Sequence, residues 1–178
     1  AMRLGALLVT VKAASNLLNK DWGPQGKSDP YVVVTVPSGK QKPHTEKTKD
    51  ISDNLNPVWN EEKTFDINQP LETVGKIRFE VFDSDMFGAV SVGIGDPTLG
   101  FIDVDWPFWD PKDTDGACRA PVSLNLRPTA EESKTSVTGQ LKCDLVWCPA
   151  GSTPRLKSTE SIPIARKFEE DAEEKRRE

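Results

Sequence analysis

Apolar and polar residues alternate with a period of two along most of the first 148 positions. Leu7, Val9 and Val11 are set against Leu8, Thr10 and Lys12. Ile77, Phe79 and Val81 alternate with Arg78, Glu80 and Phe82, and Leu141, Cys143, Leu145 and Trp147 with Gln140, Lys142, Asp144 and Val146. A period of two places one set of side chains on a buried face, so each stretch predicts a half-buried strand. Residues 31–36 are almost continuously apolar and β-branched, which predicts a central strand. Further strands are expected over 45–49, 60–67, 99–106 and 122–126, with Gly and Pro clustered between them. About eight short strands and no long helical period predict an all-β fold, an eight-stranded antiparallel β-sandwich.

The pattern changes after the last strand. Residues 150–161 are rich in Ser, Thr and Pro and read as a linker. In 162–178, Ile164, Phe168 and Ala172 recur every four residues within a charged run. This predicts a helical tail with Asp171/Lys175 and Glu173/Arg177 spaced for favourable pairing. The sandwich domain is therefore assigned to 3–149, and Ala1-Met2 reads as a cloning scar.

A chain of 178 residues can bury a substantial core. No stretch approaches the ~20 apolar residues needed to cross a bilayer, and no signal-peptide pattern opens the chain. Net charge is −5, and all of it lies in residues 1–150, which carry 16 basic and 21 acidic side chains; the rest holds seven of each. With no basic excess, nucleic acid is not an expected partner. Three cysteines form no disulfide framework, and Cys143 and Cys148 share one predicted strand. A reducing, cytoplasmic setting is expected.

The charge deficit leads to the candidate chemistry. Asp21 and Asp29 flank the loop-like stretch Asp21-Trp-Gly-Pro-Gln-Gly-Lys-Ser-Asp29, and Asp83, Asp85 and Asp96 bracket a Gly-rich run. Carboxylates at this density repel one another unless a cation sits among them. Calcium suits such loops because it takes six to eight oxygen ligands in a permissive geometry. Asp113-Thr-Asp115-Gly116 resembles part of a helix–loop–helix calcium loop, but Val122 stands where its closing Glu belongs. Catalysis is not expected: His44 is the sole histidine and no phosphate-cradling Gly-rich loop is present.

Asn16-Leu-Leu, Asp21, Ser28-Asp29-Pro-Tyr31, Asn56-Pro-Val-Trp-Asn-Glu61, Phe79-Glu-Val-Phe-Asp83-Ser-Asp85 and Leu99-Gly100 occur in a fixed order. Together they resemble the C2 domain, the calcium- and lipid-binding module of protein kinase C, synaptotagmins and extended synaptotagmins. The resemblance covers roughly residues 4–148. It implies acidic loops meeting at one end of an eight-stranded sandwich. Because the chain opens on one strand of this set and closes on 139–147, it implies the type II permutation. It further implies calcium ligands at Asp21, Asp29, Asp83, Asp85 and Asp96, with Asp29 and Asp83 shared between neighbouring ions. Relative to many family members, the Asp21–Asp29 interval is two residues longer and the Asp85–Asp96 interval about five longer.

Calcium among these acids would turn a negative rim neutral or positive and admit anionic lipid headgroups. Trp22, Phe87, Val90, Val92 and Ile94 are the candidate membrane-inserting side chains. Lys40, Lys42, Lys47 and Lys49 flank a predicted hairpin and form a candidate basic, lipid-facing set. Family members that bind phosphoinositides carry lysines two and four positions after the tyrosine of Ser-Asp-Pro-Tyr; here those positions are Val33 and Thr35, which favours generic anionic lipid over a dedicated phosphoinositide pocket. The expected function is calcium-dependent binding to anionic phospholipid membranes, peripheral and reversible, as a module of a larger trafficking or signalling protein. The competing expectation is a calcium-independent C2 domain that docks a protein partner.

Overall fold

A computed structural model of the chain describes residues 4–20, 26–84, 96–108, 117–129 and 136–151. Eight strands run through them in chain order: β1 (Gly5–Ser15), β2 (Pro30–Ser38), β3 (Gln41–Lys47), β4 (Val58–Ile67), β5 (Lys76–Asp83), β6 (Thr98–Asp105), β7 (Cys118–Asn125) and β8 (Gln140–Pro149). One 3₁₀ turn, Leu71–Thr73, lies between β4 and β5. The first sheet has the order β4-β1-β8-β7 and the second β3-β2-β5-β6, every described pair antiparallel. The last strand sits beside the first, as the expected permutation requires.

The core is the space between the sheets. Leu7, Val9 and Val11 of β1 and Leu141, Cys143, Leu145 and Trp147 of β8 meet Val32, Val34 and Val36 of β2 and Ile77, Phe79 and Val81 of β5. Those of β1, β5 and β8 are the residues whose period of two marked them for burial, and those of β2 belong to its continuous apolar run. β2 is covered on both faces near its start, where Tyr31 and Val33 are buried as well as Val32 and Val34. Its β-branched run is that of a strand with neighbours on each side.

Two strands begin four residues earlier than their patterns suggest. β3 starts at Gln41 rather than 45, and almost all of its residues are exposed, so it shows no alternation. It is an edge strand, where Pro43 is tolerated because no inner ladder needs its missing N–H. β7 starts at Cys118 rather than 122; it is the other sheet's edge and carries Pro121. Within β4, Asn60 has φ +49°, and the register against β1 shifts between Val11 and Ala13. This bulge accompanies the burial of Trp59, whose indole N–H donates to the Lys49 carbonyl at 3.0 Å.

Antiparallel connectivity sorts the loops. The β1–β2, β3–β4, β5–β6 and β7–β8 connections emerge at one end of the sandwich, and the β2–β3, β4–β5 and β6–β7 connections at the other. The first end carries Asp29, Asp83 and Asp96. The linker from residue 152 on, the helical tail, Ala1-Met2 and the Asp113–Gly116 stretch lie outside the described residues.

Candidate functional site

The site is built where β2 and β5 reach the rim side by side. Pro30 pairs with Asp83 across the two strands, and the Ser84 N–H donates to the Asp29 carbonyl at 3.0 Å. The Asp29 N–H donates to the Asp83 carboxylate (Oδ1) at 2.7 Å. The Asp83 N–H in turn donates to the Pro97 carbonyl at 2.9 Å, which brings the residue after Asp96 against the same strand end. Three predicted ligands are thus anchored on three neighbouring strand ends.

Asp83 is only 2% exposed. It continues the inward-facing series Ile77, Phe79, Val81, so its carboxylate lies at the mouth of the core. Asp29 is half-buried, and its Oδ1 accepts the Asp53 N–H at 2.6 Å. Among the described residues Asp29 has no ion-pair partner, and its Oδ2 accepts no hydrogen bond. Asp96 is half-buried, and its Oδ2 accepts the Tyr31 hydroxyl at 2.6 Å. Among the described residues no three His, Cys, Asp or Glu side chains group tightly enough to hold a metal by themselves. Asp21 and Asp85 lie outside the described residues, as do Trp22, Phe87, Val90, Val92 and Ile94.

The described residues that bracket the Asp21 stretch, 19–20 and 26–28, are hydrogen-bonded to one another. Ser28 is fully buried; its Oγ accepts the Lys20 N–H at 3.0 Å and its N–H donates to Asn19 Oδ1 at 3.1 Å. The Asn19 amide donates to the Gly26 carbonyl at 2.9 Å. This clasp sets the residue before Asp21 against the residue before Asp29. The β3–β4 loop buttresses it, because the Asn54 N–H donates to the Ser28 carbonyl at 3.1 Å and Asn56 Oδ1 accepts the Asn16 N–H at 2.9 Å.

Sequence reasoning missed four contributors. Ser28, Asn19 and Tyr31 stand within or beside the motif residues but act through hydrogen bonds that pattern cannot show. Asp53 is the fourth: it adds a carboxylate beside the rim, with its Oδ1 accepting the Lys27 N–H at 3.1 Å. The signal in the sequence is the Asp53-Asn54 pair, a turn former, and Asp53 indeed takes up the left-handed region at φ +53°.

The four lysines sit at different heights along the hairpin. Lys40 is in the β2–β3 turn at the end away from the carboxylates, and Lys42 begins the strand from there. Lys47 ends β3 near the rim, with its Nζ 5.5 Å from the centre of the Tyr31 ring. The register shift opposite Val36 and Ser38 interrupts the alternation between Lys42 and Lys47. Lys49 lies beyond the strand, its N–H donating to Glu61 Oε2 at 3.0 Å. The basic set is spread along the sandwich because the hairpin runs lengthwise, about 20 Å at ~3.3 Å per residue. Val33 and Thr35, opposite Lys47 and Thr45, lie on the outward face with Tyr31.

A two-sheet antiparallel sandwich with acidic loops at one end defines a class of loop-presenting binding modules. The C2 domain family model matches residues 5–106, and the chain belongs to that family. Synaptotagmin-4 of Arabidopsis thaliana is 34% identical over 162 residues, covering 87% of this chain and 24% of that protein. The Arabidopsis thaliana "Calcium-dependent lipid-binding protein" is 42% identical over 83 residues, covering 46% of this chain and 14% of that protein. The chain thus spans a quarter or less of these two relatives. Among solved structures, a C2 domain of plant extended synaptotagmin 1 superposes with a TM-score of 0.63 at 26% identity, covering 84% of this chain and 98% of that one. No helix among the described residues is long and apolar enough to cross a membrane.

Proposed function

We propose that this C2 domain binds anionic phospholipid membranes in response to calcium, through the rim formed by the loops after β1 and β5. The observation that carries the reading is the Asp29–Asp83 pair: two neighbouring carboxylates, one nearly buried, each accepting a main-chain N–H. Main-chain donors orient the carboxylates without adding a full positive charge. An oxygen-rich, negatively charged position of this kind fits calcium. Asp21, Asp85 and Asp96 complete the proposed ligand set, and the clasp around Ser28 supports the placement of Asp21 beside Asp29.

Bound calcium would supply positive charge at the rim, and with it a place for lipid phosphate or carboxylate oxygens. The chain's own residues do the rest. Trp22 and the apolar side chains Phe87, Val90, Val92 and Ile94 supply insertion, each contributing ~1.5–3 kcal/mol if fully buried. Lys47 and Lys49, on the rim side, add about 1 kcal/mol each near an anionic surface at low salt. Lys40 and Lys42 reach lipid only where the membrane lies along β3. With Val33 and Thr35 on the outward face of β2, recognition is by charge rather than by a phosphoinositide pocket. The domain acts as a module of a larger peripheral membrane protein of trafficking or signalling.

Co-sedimentation with phosphatidylserine-containing vesicles, in calcium and in chelator, tests the reading. The wild-type domain pellets with calcium and stays in the supernatant in chelator, and Asp83→Asn/Asp85→Asn stays in the supernatant in both. Equal pelleting with chelator would transfer the function to the basic residues; no pelleting in either would favour a calcium-independent protein-docking domain.

A further inference from the structure

The fifth carboxylate presents a problem that the strand register makes visible. Tyr31, Phe82 and Thr98 form one row across β2, β5 and β6. Asp83 points inward with Val81, whereas Tyr31 lies on the outward face, its ring stacked on Phe82 at 5.7 Å and 24°. Asp96 enters two residues before Thr98, at the end of the long β5–β6 connection. Nothing in the strand ladder itself directs the Asp96 side chain toward the Asp29–Asp83 pair.

Tyr31 supplies an anchor for that side chain. Its ring is 4% exposed and held from two sides, by Phe82 and by Lys47 Nζ at 5.5 Å. Its hydroxyl reaches across the row to Asp96 Oδ2 at 2.6 Å. A short O–H···O⁻ bond is among the stronger and more directional hydrogen bonds. Tyr31 is also two residues from Asp29, so the same short segment carries one proposed ligand and orients another. The stack fixes the phenol in place, and the phenol fixes one carboxylate oxygen.

We infer that Tyr31 is a positioning residue for divalent-cation binding: its hydroxyl holds the Asp96 carboxylate at the rim and so sets the calcium affinity of the site. This rests on the calcium reading above and adds to it a residue that touches neither metal nor lipid. It also explains how a β5–β6 connection longer than usual can deliver a carboxylate without the affinity being lost to loop entropy. The orienting contact comes from the rigid sheet, not from the loop.

The test is calcium titration calorimetry on wild type, Tyr31→Phe, Asp96→Asn and the double variant. Tyr31→Phe keeps the ring and its stack and removes only the hydroxyl. It should bind calcium about tenfold more weakly, equivalent to ~1.4 kcal/mol. In the Asp96→Asn background the same change should have no further effect, because the two act as one unit. Tyr31→Phe binding within about twofold of wild type, or an equal loss in both backgrounds, would overturn the assignment. Tyr31 is the sole tyrosine in the chain, so a ¹³Cζ-tyrosine label gives one NMR line that needs no variant. That line should shift as calcium is added to the wild type, and a line that stays still while calcium binds refutes the contact. A wild-type protein that takes up no calcium defeats the functional reading itself, which separates the two failures.

Discussion

Replacing Asp83 by Asn should make the calcium-free domain more stable while removing its response to calcium. Asp83 is nearly buried and lies beside Asp29, whose N–H it accepts at 2.7 Å. Two like charges ~5 Å apart at an effective dielectric of ~20 repel by about 3 kcal/mol, which sets the scale for a neighbouring pair of this kind. Asparagine keeps an acceptor oxygen for the Asp29 N–H but exchanges a charge-assisted hydrogen bond for a neutral one, a loss of about 1 to 1.5 kcal/mol. The balance favours the variant by about 1–2 kcal/mol, or about 2–8 °C in Tm for a domain of this size. The wild type should instead gain about 2.7 kcal/mol when calcium reaches about a hundred times its Kd. Differential scanning fluorimetry in chelator and in calcium reads both effects, and the two stabilities should change order between the conditions. A chelator-treated Asp83→Asn that melts below wild type would refute the reasoning, because the carboxylate would then stabilise the fold rather than wait for a cation.

Three further outcomes are expected from other parts of the sandwich. Asp103 accepts two hydrogen bonds from Arg78, at 2.9 and 3.0 Å, and these hold its carboxyl below the usual carboxylate range against the opposing effect of burial. A depressed folded pKa adds stability above the unfolded value, so the ~0.5–1 kcal/mol advantage of wild type over Asp103→Asn should be present at pH 7 and fade as pH drops below about 4, measured by urea midpoints. Lys47→Glu should weaken vesicle pelleting severalfold more than Lys40→Glu, since Lys47 lies near the carboxylate rim and Lys40 at the opposite end; equal effects would mean the membrane contacts the side of the sandwich along β3. Burial, reinforced by neighbouring Asp144, pushes the Cys143 thiol up to about 12, so a maleimide near neutral pH should leave Cys143 unmodified in the folded domain, and mass-mapped labelling checks it.

The fold was legible because a buried face writes its period into the chain. β1, β5 and β8 announce themselves through Leu7/Val9/Val11, Ile77/Phe79/Val81 and Leu141/Cys143/Leu145/Trp147, and each set faces the core. β3 and β7 were only half legible, since edge strands are exposed and carry Pro43 and Pro121. For the site, types and order were visible but placement was not. Asp29 and Asp83 are neighbours through a register that no local pattern encodes. The division of Lys40 and Lys42 from Lys47 is a consequence of which way β3 runs. Ser28, Asp53 and Tyr31 act through contacts between segments that are far apart in the chain or hidden by backbone conformation.

Whether the Asp29–Asp83 rim takes up calcium is decided by isothermal calorimetry of the wild-type domain, with Asp29→Asn/Asp83→Asn titrated alongside. The wild type should give saturable heat at or below millimolar calcium, and the variant none. A flat wild-type thermogram, or equal heat from both proteins, would show that these carboxylates are not the metal site.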